Sequence, residues 1–146
     1  MLTTLPAARP AAATTYHQLI DQVQRNGLYS TQAQAEAVTR SVLAALGRQV
    51  TGEERVELAQ RLPKEVAREF ASQVPATEPL SGFGFVQDVA ARTGTGAGAA
   101  RWDVGSVLRA VAQLAGPGLV DRILAQLPNG YALLFGQVRL PRPQAS

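Results

Sequence analysis

The chain has 146 residues, of which 46% are apolar, 14 are basic, 11 are acidic and none is cysteine. This length fits one ordinary domain with a buried core, and no apolar run approaches the roughly 18 residues that a membrane-spanning helix needs. The lack of cysteine excludes disulfides, thiol nucleophiles and thiolate metal ligands, which favours a cytoplasmic location.

Both ends of the chain are predicted to lie outside the folded region. Residues 1–13, MLTTLPAARPAAA, have neither the basic leader nor the continuous apolar stretch of a secretory signal, so we expect a disordered tail and no export by that route. Residues 138–146 are likewise predicted to form a flexible C-terminal tail.

Residues 14–74 are predicted to form four helices. Threonine capping patterns at Thr15, Thr31 and Thr51 mark the first three helix starts, and the pattern at Thr51 is the clearest. Pro63 starts a short fourth helix, because proline is tolerated in the first turn of a helix but not in its interior. Apolar residues recur at helical spacing and are assigned to the core: Tyr16, Leu19, Ile20, Val23, Ala35, Val38, Val42, Ala45, Leu46, Val56, Ala59, Leu62, Val66 and Phe70.

Residues 75–82, which are rich in turn-forming residues, are predicted to be a linker, and residues 83–137 form a second set of four helices with joints at Pro117 and Pro128. The glycine-rich stretch 93–100 is predicted to be a flexible connection between helices. The following residues are assigned to the core of this half: Phe83, Phe85, Val86, Val89, Ala90, Trp102, Val107, Leu108, Val111, Leu119, Val120, Ile123, Leu127, Tyr131 and Phe135.

The two sets of helices repeat one another. A signature recurs at a spacing of 65 residues, pairing Leu62, Pro63, Ala67 and Phe70 with Leu127, Pro128, Ala132 and Phe135. The first helices match at a spacing of 66, pairing Leu19, Ile20 and Val23 with Phe85, Val86 and Val89. We call residues related by these two spacings matched positions. Units of about 60 residues gain stability by sharing a core, so we expect an all-α fold in which two tandem four-helix repeats pack into one globular domain.

The segments SVLAALGRQVTGEERVELAQRLPKEVAREF and SVLRAVAQLAGPGLVDRILAQLPNGYALLF resemble the bacterial domain of unknown function 2267 family. The resemblance covers about residues 16–135. It implies a bacterial, helical, duplicated domain, and it supplies no activity, cofactor or catalytic residue. The second segment departs from the first where Asn129-Gly130 replaces Lys64-Glu65.

The basic character of the chain comes from its tails. Residues 16–74 contain seven basic and seven acidic residues, and residues 80–136 contain four and three. The excess positive charge lies at Arg9, Arg139 and Arg142. A nucleic-acid-binding face usually gathers Lys and Arg on one element, so this distribution favours weak binding at most.

No set of residues has the spacing of an active or metal site. His17 and Asp21 form a solvated pair at helical spacing, without the further ligands that a metal needs. The run Gly94-Thr95-Gly96-Ala97-Gly98-Ala99 mimics a dinucleotide fingerprint but follows a helix instead of a strand. The remaining candidate carboxylates, explained better by helix capping or solvation, are Asp88, Asp103, Glu53, Glu54 and Glu57. We therefore predict no catalytic, cofactor-binding or metal-binding residue.

These observations favour a non-catalytic helical module that binds another protein or itself and does not associate with membranes. One alternative is weak nucleic-acid or nucleoid-associated binding through the basic tails. Another is small-molecule binding or enzymatic activity in a pocket between the repeats.

Overall fold

The computed structural model describes residues 15–137, and within them every regular element is an α-helix, which confirms the predicted all-α class. Seven helices follow one another along these residues: α1 (Tyr16–Gly27), α2 (Gln32–Gly47), α3 (Gly52–Arg61), α4 (Lys64–Ala71), α5 (Gly82–Thr93), α6 (Ala97–Gln126) and α7 (Tyr131–Leu134). None of these helices is both long and apolar enough to cross a bilayer. The predicted tails, residues 1–13 and 138–146, lie outside the described residues.

Helix α6 is two helical segments joined at a break. Gly116 lies inside it with φ 83° and ψ 158°, and Pro117 follows. Glycine adopts this positive φ without steric cost, and proline cannot donate the backbone hydrogen bond that would continue the helix. The predicted joint at Pro117 is therefore confirmed. Residues 97–126 form two helical segments, one on each side of Gly116.

One hydrophobic core contains side chains from all seven helices. Helix α1 packs against α2 and α6, while α5 packs against α6 and α2, and the long helices α2 and α6 also contact each other. Most of the predicted core positions are buried, including Phe70 and its matched residue Phe135. The core therefore runs through both halves of the chain.

Matched residues of α3 and α6 also contact each other reciprocally. Glu57 forms an ion pair with its own matched residue, Arg122, at 3.0 Å between Oε1 and Nη2. Arg61 donates to the carbonyl oxygen of Ala115 at 2.7 Å, and the matched Gln126 accepts from the backbone N–H of Thr51 at 2.8 Å. Such exchange is the pattern that an approximate two-fold relation between the halves would produce. The division into repeats at 14–74 and 83–137, with a linker at 75–82, stays a prediction.

Several sequence-based assignments are wrong in detail. The Thr51 side chain makes no capping hydrogen bond, and Gln126 of α6 bonds the Thr51 backbone. Phe83, Trp102 and Val56 were assigned to the core but are exposed. The glycine-rich stretch is mostly helical, since α6 begins at Ala97.

Candidate interaction surface

Helix α1 ends in an unusual way. Its start has the predicted capping box, in which Thr15 and Gln18 exchange hydrogen bonds. Its end places Leu28 in the left-handed region, with φ 57° and ψ 37°, and Leu28 is the only non-glycine residue with positive φ in the described part of the chain. Leu28 is 80% exposed. At the matched position, the residue that follows α5 is Gly94, at φ 72°.

Trp102, on the second turn of α6, lies against the end of α1. Its indole Nε1 donates to the carbonyl oxygen of Gly27 at 2.9 Å, although 53% of the residue remains exposed. This bond satisfies a carbonyl that the end of a helix otherwise leaves without an intrahelical partner. It also fixes the indole beside the residue that precedes Leu28.

Further hydrogen bonds between α6 and the end of α1 hold this arrangement. The Tyr29 hydroxyl donates to Asp103 Oδ1 at 2.5 Å, and Asn26 Nδ2 donates to the carbonyl oxygen of Ser106 at 2.9 Å. Burial, together with the bond to Asp103, raises the pKa of Tyr29 well above its ordinary value, so the phenol stays a proton donor. A Cβ on Gly27 would lie 2.2 Å from the Tyr29 ring, so this position requires glycine.

We use the name Leu28–Trp102 ridge for these two exposed residues, which are brought near each other by the bond between Trp102 and Gly27. Arg25 and Arg101, the exposed cations nearest to them in sequence, lie three residues before Leu28 and next to Trp102. An apolar centre with a polar border is the usual anatomy of a protein-binding surface. The ridge offers apolar contact area and no nucleophile or general acid.

A second pair of large apolar side chains is exposed in the second half, Phe83 at 71% and Leu133 at 65%. The matched positions in the first half, His17 and Arg68, are exposed and polar. Apolar exposure at these two positions is thus confined to the second half.

The residues considered as catalytic or metal-binding candidates are placed as solvated or paired side chains. His17 Nε2 lies 3.8 Å from Asp21 Oδ2, with the His17 side chain 76% exposed. Asp88 pairs with Arg92 at 3.0 Å and Arg48 at 3.5 Å.

The remaining carboxylates follow the same pattern. Asp103 accepts from Tyr29, and Glu54 and Glu57 pair with Arg122 at 3.7 and 3.0 Å. The hydrogen bond from Arg122 lowers the pKa of Glu57, as expected for a stable ion pair. Within residues 15–137, no three His, Cys, Asp or Glu side chains come together as metal ligands.

Sequence reasoning missed the ridge because Trp102 fits a helical apolar pattern and Leu28 falls just beyond the first helix, outside any pattern. Two signals were present in the sequence. Trp102 stands between Arg101 and Asp103, in polar surroundings, and both ridge positions differ in size from their matched residues, Ala37 and Gly94.

Comparison with known proteins gives a family and no function. The family model described as "Uncharacterized conserved protein (DUF2267)" matches residues 16–134, whereas no curated protein matches the chain. Because this match covers nearly all of the helical region and well over half of the chain, the chain belongs to the DUF2267 family.

Proposed function

We propose that this protein is a non-catalytic helical module that binds another protein, or a second copy of itself, through the Leu28–Trp102 ridge. The observation that carries the proposal is Leu28, which combines a positive φ with an almost fully exposed apolar side chain. Neither feature contributes to the stability of the isolated domain.

The conformation of Leu28 is costly, and the chain contains the less costly solution. A left-handed conformation costs a residue with a Cβ about 1–2 kcal/mol, which glycine avoids. The second half uses Gly94 at the matched helix end. Backbone strain that the fold does not require is characteristic of positions with a functional role.

Trp102 supports the same surface. Tryptophan is enriched among residues that dominate binding energy, because its large ring buries much area and loses little conformational freedom. The bond to Gly27 fixes the ring before a partner arrives. A partner would therefore bind to a surface that is already ordered.

A second copy of the chain is the partner that we favour for the first test. Most soluble oligomers are homo-oligomers, and a two-fold contact needs only one self-complementary patch. Two large side chains are far fewer than the about 20–30 residues per partner in a stable interface. We therefore expect a weak or transient contact, centred on the ridge.

Site-specific photo-crosslinking tests the proposal. The photo-reactive residue p-benzoylphenylalanine replaces Leu28 or Trp102 in full-length protein expressed in its native host, and control proteins carry it at the exposed residues Gln60 and Gln87. We expect a discrete product from the two ridge positions and none from the controls. A product of twice the chain's own mass identifies a second copy, and another mass identifies a different protein.

The proposal fails if the ridge positions give no product, or if the control positions give the same product. Purified protein should also show concentration-dependent association in sedimentation velocity when the partner is a second copy. Leu28→Ser combined with Trp102→Ser should abolish this association, while Gln60→Ser should leave it unchanged.

A further inference from the structure

An open cleft lies between α2 and α5, with the start of α6 at one end. It has two adjoining lobes, of about 390 Å³ and about 370 Å³, which share Ser41, Val89, Arg92 and Thr93 as lining residues. Volumes of this size fall in the lower range of small-molecule sites. The cleft shares no residue with the exposed ridge.

The cleft is open because matched positions differ in side-chain size. Where α1 meets α6, the space is occupied by the Trp102 indole and the Tyr29 phenol, each with a hydrogen bond to the neighbouring helix or its end. Where α5 meets α2, the matched residues are Ala37 and Thr95, and both line the larger lobe. The second junction therefore lacks the two rings that fill the first.

Three arginines border the smaller lobe: Arg40, Arg48 and Arg92. Their carboxylate partners are Glu69, 3.6 Å from Arg40, and Asp88, which lies 3.5 Å from Arg48 and 3.0 Å from Arg92. Three cations thus face two anions.

Two of these pairs are loose. The Arg40–Glu69 and Arg48–Asp88 separations exceed the about 2.7–2.9 Å of a strong charge-assisted hydrogen bond. Within the described part of the chain, Arg92 bonds Asp88 through its Nε atom alone. Arg48 Nη1 also donates to Gln73 Oε1 at 2.8 Å, and Arg40 Nη2 donates to the Tyr16 hydroxyl at 3.3 Å. Because each guanidinium carries five N–H donors, the remaining ones are available for another acceptor.

The larger lobe is less polar. Ala37, Val38, Val42 and Val89 contribute apolar side chains to its lining, and Asp103 at its border is already bonded to the Tyr29 hydroxyl. The cleft thus combines an arginine-rich end with an end of mixed lining, in which these apolar side chains lie beside polar ones such as Gln34 and Thr95.

We propose that this cleft binds a small amphiphilic anion, namely a carboxylate or phosphate monoester on a short apolar body. The fork of a guanidinium matches the paired oxygens of either headgroup. The apolar body occupies the space that the two rings fill at the first junction. This site is independent of the proposed protein-binding ridge.

Titrations monitored by NMR of uniformly ¹⁵N-labelled full-length protein test the proposal. The probes are octanoate and octyl phosphate, each below its critical micelle concentration, with octanol and octyltrimethylammonium as neutral and cationic controls. We expect saturable shifts with the two anions, confined to amides around residues 37–48 and 89–95. Whichever anion binds more tightly identifies the headgroup.

Two variants assign the binding to this cleft. Ala37→Trp restores the ring found at the matched position and should abolish binding, while Gln60→Trp on α3 is its control. Arg92→Gln should weaken binding of the anions about three- to tenfold, as expected for one charge-assisted bond at an exposed site, and Arg25→Gln on α1 should not.

The proposal is overturned if octanol binds as tightly as octanoate and octyl phosphate, or if the shifted amides lie elsewhere. It is also overturned if folded Ala37→Trp protein binds like the wild type. Because the shift map needs no variant, the proposal stays testable if Ala37→Trp does not fold.

Discussion

At matched positions 55 and 120, the two halves of the chain carry an arginine and a valine. Arg55, on α3, stacks over the Phe70 ring at 5.3 Å from its centroid. Its guanidinium also donates to five backbone carbonyl oxygens, those of Gly47, Val50, Phe70, Ala71 and Gln73. One side chain therefore ties together the ends of α2 and α4.

Val120, in the second half, makes no comparable tie. A cavity of about 280 Å³ lies beside it, bordered by Pro117, Phe135 and Gly136. The carbonyl of Ala115, matched to Val50, is satisfied by Arg61 of α3 instead. Where both matched residues are apolar, their burial is the same in the two halves, as for Phe70 and Phe135. The hydrogen bonds between side chains and backbone carbonyls, in contrast, differ between the halves.

The largest expected effect tests whether the two halves contribute equally to the core. Phe70→Ala and Phe135→Ala each remove a fully buried ring, so each should lower the free energy of unfolding by about 3–5 kcal/mol. Urea unfolding followed by circular dichroism measures both losses. A loss below about 1 kcal/mol at one position would show that its ring adds little to the core.

The second prediction concerns the hydrogen bonds from Arg55 to the backbone carbonyls. Arg55→Met keeps a long apolar side chain but leaves several carbonyls without a donor, so it should destabilise the protein by about 3 kcal/mol. The control is Arg68→Met on the exposed face of α4, which should change stability by less than about 0.5 kcal/mol. Equal losses in the two variants would contradict the role assigned to Arg55.

The third prediction addresses the cavity of the second half. Val120→Arg places a guanidinium next to this open space, which is bordered by Ala112, Phe135 and Gly136, the residues matched to three of the five whose carbonyls Arg55 binds. It should cost about 1 kcal/mol or less, whereas Ile123→Arg, at a buried position without such space, should cost more than about 4 kcal/mol. Thermal unfolding of the two variants measures the difference, and similar losses would refute the comparison.

Substitutions at the ends of α1 and α5 should change the free energy of unfolding by smaller amounts and in opposite directions. Leu28→Gly relieves a left-handed conformation and should stabilise the protein by about 0.5–1 kcal/mol, while Gly94→Leu should destabilise it by a similar amount. Both changes are read from chemical denaturation. Under the proposed function, Leu28→Gly should also weaken association, so that stability and binding change in opposite directions.

The smallest expected effect concerns nucleic acid. Basic and acidic residues balance between Thr15 and Gln137, so binding of DNA should be weak and should depend on the tail residues Arg9, Arg139 and Arg142. Replacing all three by glutamine should abolish binding in fluorescence anisotropy at about 0.15 M salt. Tight binding that survives the replacement would point instead to a basic face assembled by folding.

Local rules accounted for much of the helical architecture. The apolar period and the threonine patterns located α1 and α2, and Pro63 and Pro117 located two helix boundaries. These features depend on backbone sterics and on side chains a few residues apart, which a sequence displays directly. Pairing residues at spacings of 65 and 66 also showed which positions of the two halves correspond.

Tertiary structure alone decided which side chains are exposed, which ones bond the backbone of other helices, and where a cleft stays open. Trp102 follows a helical apolar pattern, yet its indole lies on the end of α1, 75 residues away, and remains half-exposed. Arg55 resembles any charged residue of a solvated helix until α2 and α4 bring their carbonyls to it. The cleft exists because Ala37 and Thr95 lie where α2 and α5 meet, and neither residue has a ring to fill the space. Each feature depends on distances between helices that are remote in sequence, and no local pattern encodes those distances.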